Sequence, residues 1–104
     1  MNRREILLAL VAIAAAPGTA TAGLPQIDPE GGERIGKAYL AGHPGLDAAS
    51  LQAELLPNGW TPEAGARLRA RAAADFRAGR LFIHRGWRIS DTEGRLFALV
   101  ALAE

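Results

Sequence analysis

The chain has 104 residues, of which 12 are Lys or Arg and 11 are Asp or Glu; 49% are hydrophobic, 22% are charged and none is cysteine. That balance excludes long disordered, collagen-like and disulfide-scaffold classes, and the length allows one domain but not two. A formal net charge of +1 gives no electrostatic case for a dedicated nucleic-acid binder.

The chain opens with Met1-Asn2-Arg3-Arg4-Glu5, continues as an uncharged apolar run over residues 6–16, and then reads Pro17-Gly18-Thr19-Ala20-Thr21-Ala22. Each part has a mechanical role in export. Arg3 and Arg4 hold the start on the cytoplasmic side, and the apolar run forms a helical h-region. Pro17-Gly18 breaks that helix, and Ala20-x-Ala22 offers small side chains to signal peptidase, predicting a cut before Gly23. Eleven apolar residues at about 1.5 Å each fall well short of roughly 30 Å of hydrocarbon, so only transient membrane contact is expected.

Asn2-Arg3-Arg4-Glu5-Ile6-Leu7 resembles the signal of the twin-arginine (Tat) export family: a polar residue, paired arginines, any residue, then two hydrophobics. The alanine-rich apolar run fits the same family. The resemblance covers the first quarter of the chain. It implies export in the folded state to the periplasm or beyond, with the export machinery and signal peptidase as partners.

Residues 1–22 are thus expected to be a signal peptide, and residues 23–104 a small globular domain with 10 basic and 10 acidic side chains. A domain of that size buries only about 60% of the surface of its unfolded chain and has little stability to spare. Without cysteine, neither disulfides nor thiolate metal sites can help it.

Asp28-Pro29 is a helix start, a side-chain acceptor followed by a ring that fixes φ. Ile35 and Tyr39 share a face, Gly42 before His43-Pro44 stops the helix, and Gly31, Gly32 and Gly36 weaken it. Asp47 caps a second helix running to about Leu56, with Leu46 and Leu51 as a hydrophobic staple. After the turn Pro57-Asn58-Gly59, Thr61-Pro62 opens a third helix that ends at Ala78 before Gly79, with Ala64, Leu68, Ala72 and Phe76 as its apolar stripe. The period then changes. Residues 81–83 and 87–89 flank His84-Arg85-Gly86 as a β-hairpin. Ser90-Asp91-Thr92-Glu93 is a capping box that launches a last helix with Leu96, Leu99, Val100 and Ala103 in step. The expected fold is small α+β and mostly helical: three or four short helices with one two-stranded hairpin, after a cleavable helical signal peptide. The order of three helices and a ribbon resembles winged-helix domains, but an exported domain does not meet chromosomal DNA, and fold analogy carries little functional weight.

No residue pattern makes an active site, so no catalytic activity, cofactor or metal is expected. His43 and His84 are the only imidazoles and lack ligand spacing; Ser50 and Ser90 are the only serines, and neither sits in a nucleophile elbow. Asp91 and Glu93 open a helix, where they suit the macrodipole. Trp60 and Trp87 have core packing as their default duty.

Partner binding is the remaining function class. From Glu63 onward there are eight basic and five acidic residues, against two and five between Gly23 and Pro62. Arg67, Arg71, Arg80, Arg85 and Arg88 can make one basic face for an acidic partner. Residues 96–103 contain no polar side chain, so the last helix is either central or presents one side, through Phe97 and Leu102, to another protein. Two functions follow. One is an exported non-catalytic accessory subunit on a larger co-exported enzyme, with a redox enzyme as the partner class the leader's resemblance implies. The other is a free-standing periplasmic module that binds a small anionic ligand through Arg80, Arg85 and Arg88.

Overall fold

The computed structural model describes residues 29–103, with side chains from Gly31 onward, together with Ile6, Ala9 and Leu10. Within residues 29–103, four helices and one antiparallel hairpin follow in the order α1 (Pro29–Gly42), α2 (Ala48–Leu55), α3 (Pro62–Ala78), β1 (Leu81–His84), β2 (Trp87–Ser90) and α4 (Asp91–Leu102). The cap predicted at Asp28 and the leader residues Arg3, Arg4, Ala20 and Ala22 lie outside the described residues.

Local chemistry sets the boundaries. Asp47 accepts from the Ser50 amide at 2.7 Å, and Ser50 reaches back to the Asp47 amide, closing a capping box at α2. Thr61 accepts from the Ala64 amide at 3.0 Å with Pro62 in the first turn of α3, and Gly79 ends that helix at φ 74°. The hairpin pairs Leu81 with Ser90, Phe82 with Ile89, Ile83 with Arg88 and His84 with Trp87. Arg85 (φ 51°) and Gly86 (φ 85°) both take left-handed backbone, the two-residue turn whose twist matches that of the strands. The Asp91 amide donates to the Arg80 carbonyl at 3.0 Å, closing the base of the hairpin as α4 begins.

Helix α4 is the centre. It packs on the other three helices and both strands, and Thr92, Glu93, Gly94 and the five residues from Leu96 to Val100 are buried. The apolar length of this helix therefore serves the core. Phe97 is only 1% exposed, which removes it from the expected partner surface; Leu102, one turn on, is 37% exposed. The reason lies in α1. An ideal Cβ on Gly32 would stand 3.4 Å from the Phe97 ring, and one on Gly36 would stand 2.0 Å from the Phe97 carbonyl oxygen. Gly94 faces the Tyr39 ring in the same way, its Cβ position lying 2.6 Å from a ring carbon. Gly36, which lowers the helix propensity of α1, is the residue that admits the α4 backbone so closely.

Two core assignments differ from expectation. The buried stripe of α3 is Ala64, Gly65, Leu68, Ala72 and Asp75, while Phe76 is only half-buried. Asp75 repays its burial with bonds: Oδ2 accepts from the Thr92 amide at 2.8 Å and the Thr92 hydroxyl at 2.6 Å, and Oδ1 from Arg80 Nε at 3.0 Å. The second is in the leader. Ile6, Ala9 and Leu10, spaced i, i+3, i+4, are helical and fully buried in the same hydrophobic cluster as Tyr39, Leu96 and Phe97. An apolar run expected only to engage the export machinery thus supplies core side chains to this structure.

Candidate functional site

Two polar assemblies stand out, one closed and one open. The closed one starts at Tyr39, whose hydroxyl donates to Asp91 Oδ1 at 2.6 Å. Arg95 Nε donates to Asp91 Oδ2 at 3.1 Å and Arg95 Nη1 to Glu54 Oε1 at 2.9 Å; Arg71 Nη2 completes the series on Glu54 Oε2 at 2.9 Å. All four helices contribute. Burial and the adjacent Asp91 carboxylate push the Tyr39 hydroxyl well above its ordinary range. Burial alone would raise Asp91, but the bonds from Tyr39 and Arg95 outweigh it and hold that carboxyl low. A tyrosine held neutral and a carboxylate with both oxygens bonded make a clasp between helices and leave no free acid or base for a substrate. His43 stacks on the Tyr39 ring at 4.0 Å between centroids and bonds the Tyr39 carbonyl through Nδ1 at 2.9 Å.

The neighbouring acid is also structural. Glu93 Oε1 accepts from the Ser90 hydroxyl at 2.8 Å and the Ser90 amide at 3.2 Å, while Oε2 has no hydrogen-bond partner among the described residues. Burial pushes the Glu93 carboxyl above its ordinary value, and Asp75 adds to the rise.

The open assembly lies where α1 passes the turn end of the hairpin. Arg34 and Ile35 on one side and His84, Arg85, Trp87 and Ile89 on the other line a cleft of about 160 Å³. The register explains the arrangement. Phe82, His84, Trp87 and Ile89 share one face of the ribbon, with Ile89 buried and the His84–Trp87 pair at the turn end. His84 stacks on Phe82, which meets Tyr39 edge-on at 5.3 Å, so the wall of the cleft is braced from the core. Trp87 is 42% exposed, and Ile83 on the opposite face of the ribbon is 57% exposed. Trp60, by contrast, does pack over the start of α3, where a Cβ on Gly65 would come within 2.7 Å of its ring.

The expected basic face divides. Arg71 is committed to Glu54, Arg80 to Asp75, and Arg67 donates through Nη2 to the Leu55 carbonyl. Arg85 and Arg88 remain exposed at the hairpin with no ion pair among the described residues, and Arg34 joins them from α1. Arg34 was not among the expected site residues; no spacing in the sequence relates α1 to a hairpin fifty residues later. The Asp91–Arg95 pair was legible as an i, i+4 contact, but its extension to Tyr39 and Glu54 was not. A second hollow of about 170 Å³ at the start of α3 sets Glu63 beside Arg67 and leaves no excess of charge. Among the described residues no group of three or more His, Asp or Glu converges as a metal site, and no helix is long and apolar enough to cross a membrane.

Compared with known proteins, the chain matches no described family, no curated protein and no solved structure.

Proposed function

We propose that the chain is an exported, non-catalytic accessory subunit that docks on a larger exported enzyme in the periplasm. The observation that carries this reading is the hairpin end, where a braced ribbon holds Trp87 and Ile83 out to solvent beside arginines with no ion pair among the described residues. Tryptophan and arginine are among the residues enriched in interface hot spots, and a rigid support lowers the ordering cost of binding. The leader's resemblance to Tat signals supports the compartment and suggests a redox enzyme as the partner class. The alternative, a module holding a small anion, has room in a cleft of about 160 Å³ but keeps only two of its three expected arginines free of ion pairs among the described residues, because Arg80 is paired with Asp75.

Gel filtration of a native periplasmic extract tests the reading. The accessory subunit elutes with a much larger protein; elution near its own mass supports the free-standing module. The route is tested by Arg3→Lys with Arg4→Lys, which keeps both charges. Blocked export is expected, and normal export would assign the leader to the general secretory pathway.

A further inference from the structure

We propose that the cleft between α1 and the hairpin end is the docking site for an acidic segment of the partner protein, one that carries a single bulky apolar residue among its carboxylates. The inference rests on the accessory-subunit reading and specifies the chemistry of its partner. Three features converge. The volume, about 160 Å³, is on the order of one large side chain and too small for a drug-sized ligand. The apolar part of the wall that reaches solvent, Ile35 and the ring of Trp87, backed by buried Ile89, suits one aliphatic or aromatic anchor. Among the described residues the charged part is one-signed: Arg34 and Arg85 both line the cleft, no carboxylate does, and neither arginine has an ion pair.

Guanidinium groups favour carboxylates because two parallel N–H bonds match the two oxygens. Arg85 adds a telling detail. It occupies left-handed backbone that glycine or asparagine fills at lower cost, yet it places a guanidinium at the tip of the ribbon. An anionic bilayer also attracts Trp and Arg, but interfacial binding grows with the apolar area buried on one face, whereas exposed Trp87 and Ile83 lie on opposite faces of the ribbon.

The test places an aromatic photo-crosslinking residue, which keeps a bulky ring in the cleft wall, at position 87 of the full chain, expressed in its native host. The captured peptide is then sequenced by mass spectrometry. The expected product is a protein segment with at least two Asp or Glu within four residues of one bulky apolar residue. In the same assay, Arg34→Gln and Arg85→Gln should each lower the yield up to roughly fivefold, the upper range for an exposed ion pair. With the crosslinker moved to His84, which lines the cleft on the same face of the ribbon as Trp87, Trp87→Ala should lower it by roughly thirtyfold, as for a hot spot. Thermal melting of each variant alongside separates lost docking from lost folding; unchanged melting is expected for the two arginine variants. Capture of lipid, or of a basic or uncharged segment, overturns the proposal. So do yields indifferent to both arginine substitutions. A crosslinker at Leu102 separates the two levels of inference. A partner captured there but not from position 87 overturns the cleft and leaves the subunit reading standing, while no partner from either position overturns both.

Discussion

Gly36→Ala sets two physical effects against each other, and the structure decides which wins. In an isolated helix, alanine is better than glycine by about 1 kcal/mol, so propensity alone predicts a more stable α1. Packing predicts the reverse. The new Cβ would lie 2.0 Å from the Phe97 carbonyl oxygen and 2.6 Å from its carbonyl carbon, with the Ala101 Cβ at 3.0 Å. Backbone atoms cannot rotate aside as a side chain can. The helices α1 and α4 must therefore separate by more than an ångström and loosen the burial of Phe97. Overpacking of this kind costs roughly 1–3 kcal/mol, and partial loss of an aromatic burial adds about 1–2 kcal/mol. After the helix gain is subtracted, the net loss is roughly 1–4 kcal/mol, a fall in Tm of about 4–30 °C for a domain this small. Circular-dichroism melts of the full chain read it directly. Two controls calibrate the series. Gly42→Ala meets no atom within 4 Å and should be neutral or stabilising by up to about 1 kcal/mol. Gly32→Ala reaches the Phe97 ring at an ordinary 3.4 Å and should fall close to wild type. If Gly36→Ala melted at or above wild type, the close approach of α1 to α4 would be refuted.

Asp75→Ala leaves the amide and hydroxyl of fully buried Thr92 without their acceptor and should cost about 3 kcal/mol in urea denaturation; a loss under about 1 kcal/mol would mean that water replaces the carboxylate. Glu93 has a folded-state pKa above its ordinary 4.5, so its stabilising contribution is complete below that pH and is lost as pH rises through the folded value. Glu93→Gln keeps an acceptor for Ser90 and should flatten the stability profile above pH 4.5 while raising stability at pH 7, and an unchanged profile would count against a buried carboxyl. Asp91 has the opposite sign: its pKa is depressed, so acid titration should remove stability below the ordinary carboxylate range, and Asp91→Asn should weaken that acid limb. Intact-mass measurement of the exported form should show loss of residues 1–22, whereas a start at Met1 would remove the export argument.

Elements with local causes were readable from the sequence. Thr61-Pro62 and Gly79 bound α3, Ser90 with Glu93 opened α4, and the change of period at Leu81 located the hairpin; each of these signals lies within a few residues of its effect. What escaped depends on contacts across the chain. Gly32 and Gly36 weaken a helix in isolation, and only the position of Phe97 more than sixty residues away turns them into a packing surface. Asp75 sits on a helical stripe that an apolar template assigns to Phe76, and the partner that satisfies it, Thr92, belongs to another element. Arginines counted together along the sequence were sorted by their neighbours: Glu54 takes Arg71, Asp75 takes Arg80, and the hairpin leaves Arg85 and Arg88 outside. Phe97 lies off the main apolar stripe by helical angle, but α1 covers that side of α4, and the side that keeps exposure is the one with Asp91, Arg95 and Leu102.

If residues 1–22 are removed as proposed, the burial of Ile6, Ala9 and Leu10 would make precursor and product two different thermodynamic objects. Two of those side chains are large, and each fully buried one contributes roughly 1.5–3 kcal/mol, a sizeable part of the 5–15 kcal/mol that holds a small domain folded. Signal peptidase acting at Ala22 would therefore do more than trim a tail. It would withdraw a wedge from the interior, leaving a looser molecule with newly bared apolar surface at the moment it reaches its final compartment. Stability measured on the unprocessed chain would overstate that of the processed one, and protease sensitivity should rise across the cut unless another surface closes the gap.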